Sequence, residues 1–376
     1  MSSTSRTATE RRLSVARWTD FLSGLQERHP AFWIRLGNLE TRMLGEDVAG
    51  VPIEKPIWVT GLARSGTTIL LELLARHPAL VTHRYRDFPP VLTPWLWNWF
   101  VDRAATHDEE PAERAHADGI LVTPESPEAF EEVIWIAFFR SLHDPRASAE
   151  LTEETENAGF EDFYRDHMRK LLRLRGGRRY LAKGNYNLTR LRYLLKLFPD
   201  ARFVVPVREP VAHVASLMRQ HARFVEEHRR DRRLQRHMSR SGHFEFGLDR
   251  RPVNCGDTAV TERVLELWEQ GREVEGWALY WNDVYGHLAA SLDAHPALRR
   301  ATLVVSYEAL CADPGPVMQA VLDHCELPRE GPDLVALARD VIRPPSPPRL
   351  ALDGAAVAHI RAVTGDVMAA LARAAA

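Results

Sequence analysis

"GLARSGTTILLELLARHP" spans Gly61–Pro78, and the residues leading into it, "KPIWVTG" (Lys55–Gly61), form a short apolar run ending in glycine. An apolar β run, a glycine-bearing turn and a leucine-rich helix make a strand–loop–helix unit. Gly61 and Gly66 carry the spacing of the phosphate-binding loop G-x-x-x-x-G-K-[ST], whose lysine reaches terminal phosphates and whose hydroxyl holds magnesium. Here Thr67 occupies the lysine position and Thr68 follows it. Loop amides and a helix N-terminus bind an anion without that lysine. The basic group sits inside the loop as Arg64, and Ser65, Thr67 and Thr68 supply hydroxyls. The pattern fits a phosphate that is held rather than transferred with magnesium. Its plainer reading is a helix start with a packing glycine.

Three further strands are expected, "RYLAKG" (Arg179–Gly184), "ARFVVPVRE" (Ala201–Glu209) and "ATLVVSYE" (Ala301–Glu308). Pro206 lacks a ladder donor, so pairing there must be one-sided. The helical segments "NLTRLRYLLKLF", "PVAHVASLMRQHARFVEEHRRDRRLQRHM" and "EGWALYWNDVYGHLAASL" separate them. Strands alternating with helices predict an α/β fold, a P-loop NTPase-like parallel sheet flanked by helices on both faces. A single domain over 51–350 is expected, with helical substrate-binding insertions at about 84–175 and 219–272. Residues 1–50 read as an amphipathic helical segment, with Leu13, Trp18, Phe21, Leu22 and Leu25 at helical spacings, and 351–376 as a C-terminal helix.

With 376 residues, 45% hydrophobic and 27% charged, the chain has enough apolar material for a core without covalent staples. A net charge of −2 gives no whole-protein attraction to nucleic acid. Cys255, Cys311 and Cys325 are scattered and lack metal-ligand spacing. The N-terminal stretch has no apolar signal core, and no window holds the ~20 uninterrupted apolar residues of a spanning helix. A cytoplasmic protein with no transmembrane segment is expected, and abundant alanine and arginine point to a bacterial source.

A second motif begins at the end of the strand "ARFVVPVRE" (Ala201–Glu209). "VREPVAHVAS" puts Arg208 at a strand end, Pro210 in the first helical turn and Ser216 about two turns in. Arginine suits a bidentate hold on phosphate oxygens. A nucleotidase places an aspartate for magnesium at that strand end, so two anion sites and a cationic, metal-free centre are expected.

Together these motifs resemble the sulfotransferases that use 3′-phosphoadenosine 5′-phosphosulfate. The loop is similar to their 5′-phosphosulfate loop, and Arg208 with Ser216 to their 3′-phosphate motif. "LAKGNYNLTRLRYLLKLFPDARFVVPVRE" and "VVSYEALCADP" follow the family's middle and late segments. The matches cover roughly 55–80, 178–220 and 275–315, and the broad bacterial branch and the tyrosylprotein and heparan enzymes are the nearest in character. The resemblance implies sulfuryl transfer to an acceptor hydroxyl of a carbohydrate, glycolipid or small molecule, with no metal. It implies that Arg64 meets the leaving phosphate, that amides of Ser65, Gly66, Thr67 and Thr68 cradle it, and that Lys183 faces the transferred group.

The resemblance leaves the general base open. The small-phenol enzymes place histidine two residues after the lysine, where this chain has Asn185. In the other branches a glutamate follows the helix-ending "HP". Here "HPALVTHRYRDFPP" offers Asp87 first and His83 second, and Glu128 of "PESPEAFEE" is third. Glu125, Glu131 and Glu132 of that stretch read as the acidic first turn of a helix. "PWLWNWF" (Pro94–Phe100) reads as a buried helix or as an acceptor wall, the basic "EEHRRDRRLQRHMSRSGH" as a solvated helix face or a cofactor mouth. Arg343 or Arg349 is a candidate to close over the donor. Two other readings stand beside this one: a P-loop kinase or nucleotidase, and a non-catalytic anion-binding protein on the same fold.

Overall fold

The computed structural model describes residues 15–104, 112–113, 121–343 and 351–375. Five strands form one parallel sheet: β1 (Ile57–Val59), β2 (Leu80–Val81), β3 (Arg179–Lys183), β4 (Arg202–Val207) and β5 (Thr302–Ser306), in the order β2-β3-β1-β4-β5. Residues Ala112–Glu113 and Leu121–Val122 pair separately as a small antiparallel ladder. The three strands expected after the loop are all present. The third is shorter than read, because Ser306 caps a new helix over Tyr307–Ala312 through its hydroxyl.

Strand side chains alternate between two cores, as the period of two requires. Ile57, Val59, Leu181 and Val204 face one side, where they meet Leu70, Leu71, Leu73 and Leu74. Trp58, Ala182, Phe203 and Val205 face the other. Each fully buried leucine or valine contributes about 1.5–3 kcal/mol. Both faces being covered explains why the strands read as continuous apolar runs rather than alternating ones. Pro206 pairs only outward, opposite Val305, because β1 leaves the ladder at Thr60, whose amide donates to Val204 O at 3.0 Å.

Ten helices matter below. They are α1 (Arg17–Arg28), α2 (Pro30–Leu44), α3 (Thr67–Leu74), α4 (Pro94–Ala104), α5 (Glu132–Phe138), α6 (Ala158–Arg175), α7 (Pro210–Arg230), α8 (Arg232–Arg240), α9 (Glu273–Ala294) and α10 (Gly354–Ala375). Helices α4 to α6 and α8 fill the regions expected as insertions. The long helix read through "PVAHVASLMRQ…RHM" is broken at Asp231, whose carboxylate caps α8 by accepting from Arg233 N at 2.8 Å. Leu13 and Arg349 lie outside the described residues.

Several local expectations need correction. Glu131 and Glu132 do start a helix, but neither faces water. Glu131 accepts from Trp58 Nε1 at 3.1 Å, Tyr180 OH and Asn187 Nδ2 at 3.2 Å, and the Tyr164 hydroxyl. Burial pushes its carboxyl up against those four donors. Glu132 takes both Arg190 nitrogens at 2.8 Å and His143 at 2.6 Å. "PWLWNWF" is not a buried helix: Trp95 and Trp97 are half-buried, Trp99 and Phe100 exposed. The basic stretch serves as a seat for α1, with Arg236 and Arg240 both reaching Asp20 at 2.7 Å. The helix over Gly354–Ala374 is, by length and composition, apolar enough to cross a membrane. In the fold it packs along α9, with Ile360, Thr364 and Leu371 buried.

Candidate active site

Parallel strands end together, and ligands of open α/β sheets sit beyond those carboxyl ends. The three central strands, β3, β1 and β4, end in Lys183, the Thr60–Gly66 loop and Arg208. The sequence read these as separate motifs; sheet order makes them neighbours.

The loop is held from behind. Tyr285 OH, from α9, accepts from Leu62 N at 3.3 Å. His213, from α7, accepts from Trp281 Nε1 at 3.1 Å through Nδ1. An indole N–H only donates, so the imidazole proton sits on Nε2 and is donated to Ala63 O at 2.8 Å. Complete burial, with Arg208 and Arg64 nearby, lowers His213 to about 3 and keeps it neutral. The sequence reading missed His213, Trp281 and Tyr285; the signal was a histidine and two aromatics at helical spacing within matched segments.

Arg64 adopts φ 74°, the left-handed region that costs a non-glycine residue energy. Gly66 opens α3 at φ 104°. A Cβ on Gly66 would stand 2.8 Å from Tyr307 Cδ2, so the glycine also makes room for that ring. On the other side of Tyr307 the Arg208 guanidinium lies 4.8 Å from the ring centroid. Arg208 Nη1 donates to Arg64 O at 3.3 Å, which joins the two motifs directly. Glu209 caps α7 by accepting from Ala212 N at 2.8 Å, with Pro210 in the first turn as expected. Among the described residues, Arg208 Nε and the buried Ser216 hydroxyl have no hydrogen-bond partner. Arg64, Gly66, Thr68 and Arg208 are half-exposed, whereas Ser65, Thr67, Lys183 and Ser216 are buried.

The surroundings of Lys183 and Asn185 contain groups the sequence reading passed over. His243 Nδ1 stands 3.6 Å from Glu245, whose other oxygen accepts from Asn185 Nδ2 at 2.6 Å. Burial disfavours ionisation of Glu245, but His243 and Asn185 outweigh it and hold it at about 2. Burial likewise opposes the His243 cation, yet Glu245 and Glu128 raise its pKa, while Lys183 works against them. Glu128 also acts on His237, which burial lowers to about 4. Glu128, His237, His243 and Lys183 therefore share one electrostatic neighbourhood. His237 sits edge-on to Phe88 at 4.9 Å, and Phe88 stacks on Phe130 at 5.2 Å, forming an aromatic wall. Asn185, read as a lost histidine, positions Glu245.

The first two base candidates are committed elsewhere. Asp87 has a fully buried side chain and accepts from Arg175 Nη2, Asn98 Nδ2 and Arg84 N. Burial raises its pKa, but Arg175 and His83 more than reverse this, so it stays a structural anion. His83 Nε2 meets His167 Nε2 at 2.8 Å, and burial lowers His83 to about 4. A base must reach the acceptor proton; neither group opens to a site. Arg343 is exposed and donates to Arg339 O at 3.4 Å.

The sequence profile of the Sulfotransferase family matches residues 56–251, more than half of the chain. The chain belongs to the sulfotransferase family. Solved structures similar to this sulfotransferase include sulfotransferase STF9 from Mycobacterium avium, 16% identical over 86% of this chain and 78% of that one, with a TM-score of 0.46. Sulfotransferase STF1 from Mycobacterium tuberculosis H37Rv is 17% identical, covering 94% and 86%, with a TM-score of 0.44. A sulfotransferase from Alicyclobacillus acidocaldarius is 14% identical, covering 86% and 96%, with a TM-score of 0.42. No curated protein matches the sequence.

Proposed function

We propose that this sulfotransferase moves a sulfuryl group from 3′-phosphoadenosine 5′-phosphosulfate to a hydroxyl of a small-molecule, carbohydrate or lipid acceptor. The observation that carries the reading is that Arg208 Nε and the Ser216 hydroxyl are both buried without a hydrogen-bond partner among the described residues, and that Arg208 contacts the loop at Arg64 O. Buried polar atoms require partners. A 3′-phosphate supplies acceptor oxygens to both, while the 5′-phosphosulfate lies on the amides of Ser65–Thr68 and on Arg64.

Transfer forms a bond from the acceptor oxygen to sulfur and breaks the bond from sulfur to the 5′-phosphate oxygen. Negative charge grows on that oxygen, where Arg64 and Lys183 oppose it. The acceptor proton passes to a base. Glu128 takes this role in place of Asp87 and His83: it is half-exposed and shares the surroundings of Lys183 and His243. His243 lies beside Glu245, whose charge raises its pKa and favours the protonated ring. A cationic loop without a magnesium-binding aspartate sets this reading apart from a kinase or nucleotidase.

The test uses purified protein with isotopically labelled donor and extract of its own cells, followed by mass spectrometry for a sulfate gain. Adenosine 3′,5′-bisphosphate should stabilise the protein to heat far more than AMP. Equal stabilisation by both, with no sulfated product, overturns the reading.

A further inference from the structure

Most of the exposed large apolar side chains among the described residues lie on three neighbouring helices. On α1 these are Trp18 and Phe21, 54% and 67% exposed. On α2, Phe32, Leu39 and Met43 fall at i, i+7 and i+11 on one helical face, the last 69% exposed. On α4 they are Trp99 and Phe100. The helices adjoin one another: Trp18 lies 6.0 Å from Trp97 of α4, Trp97 stacks on Phe100 at 5.6 Å, and Glu40 of α2 accepts from Leu96 N of α4 at 2.6 Å.

Arginines punctuate this surface. Arg28, Arg35 and Arg42 are exposed and, among the described residues, form no ion pair, while Arg103 lies 3.9 Å over the Trp99 ring. The acids of α1 are neutralised, since Asp20 and Glu27 hold Arg236 and Arg240. Exposed Glu46 and Asp47 follow only after α2 has ended.

We propose that the α1–α2–α4 corner docks on an anionic lipid bilayer. Protruding aromatic and aliphatic tips interspersed with unpaired arginines are what a helix lying in a headgroup layer presents: rings enter the acyl boundary and guanidinium groups stay with the phosphates. The arginines among the exposed apolar tips match the negative charge of an anionic headgroup layer. The surface also continues into the acceptor wall, because Trp97 Nε1 donates to Arg86 O at 2.7 Å, two residues before Phe88.

The experiment is sedimentation of the full chain with vesicles of phosphatidylcholine alone or of equimolar phosphatidylcholine and phosphatidylglycerol. Binding is expected to the anionic vesicles only and should weaken with salt. Phe21→Ser/Trp99→Ser should weaken it about tenfold or more. Arg35→Glu/Arg42→Glu should cost at least about fivefold per arginine. That charge variant keeps the test valid even if the serine variant folds poorly, since neither arginine has an ion pair to lose among the described residues. No binding to anionic vesicles at low salt overturns the proposal, as does binding that neither variant changes. A dimer in light scattering that Phe21→Ser/Trp99→Ser dissociates also overturns it, and assigns the corner to a second copy of the chain.

Discussion

Arg175 Nη2 stands 2.6 Å from Oδ1 and 2.8 Å from Oδ2 of Asp87. The same guanidinium donates through Nη1 to Thr82 O at 2.6 Å. This buried knot ties the end of α6 to the turn that follows β2, and through Asn98 to α4. It fixes the turn that leads into Phe88.

Asp87→Asn should therefore act on stability. Removing one partner strands a buried cation, which costs about 3–5 kcal/mol. Urea denaturation should show that loss, while turnover per folded molecule stays within a few-fold of wild type. A stable Asp87→Asn enzyme that has lost turnover would return the base to Asp87.

Glu128→Gln should do the reverse. Loss of a general base costs about 10²–10⁴-fold in rate. The decrease should appear in kcat, with bisphosphate affinity unchanged, because a carboxylate facing the acceptor does not hold the donor. Steady-state kinetics on the folded variant, with calorimetric titration of the bisphosphate, make the comparison. Wild-type kcat in Glu128→Gln removes it as the base.

Arg208→Ala and Ser216→Ala should weaken adenosine 3′,5′-bisphosphate but leave AMP nearly unchanged. A hydrogen bond to a charged group contributes about 1.5–3 kcal/mol, or roughly 10–100-fold in affinity. Isothermal titration with both nucleotides measures the difference. Parallel weakening of both would mean that the pair shapes the loop rather than binding a 3′-phosphate.

Stability should fall as pH drops below 6.5, with Asp283, which burial pushes up to about 6, acting in the opposite direction. Burial holds His213 at about 3 in the folded protein, against 6.5 ordinarily. The unfolded chain therefore binds the extra proton between those values, so stability is complete above 6.5 and lost toward 3. The full effect for one such buried group is on the order of 4–5 kcal/mol. His83 and His237, both lowered to about 4 by burial, act in the same direction. Melting temperatures from pH 7 to 4 should decline, and His213→Gln, which can still donate to Ala63 O, should flatten the slope. An unchanged slope in that variant would show that His213 titrates normally.

The strand–loop–helix unit, the parallel sheet and the Arg208 motif were legible in the sequence because each depends on local chemistry. Apolar runs of strand length, glycines at φ values other residues avoid and a proline in the first helical turn constrain the backbone wherever they occur. The acceptor side was not legible in this way. Asp87 and Glu128 are both carboxylates in polar turns, and nothing in their neighbours along the chain tells them apart.

Only tertiary structure decides between them, because it alone supplies partners from far along the chain. Arg175, 88 positions from Asp87, makes that carboxylate structural, and Glu245, 60 positions from Asn185, turns a missing histidine into a hydrogen-bond donor. The outward stripe of Trp18 and Phe21 follows the same rule. Helical spacing fixed that the two share a face, but whether that face meets a core or solvent depended on where α8 and α4 packed. The sequence by itself determined the strand–loop–helix unit and the order of the strands' motifs; the folded chain decided which ionisable groups are buried and held by partners, since burial and partner charge come from residues distant in sequence.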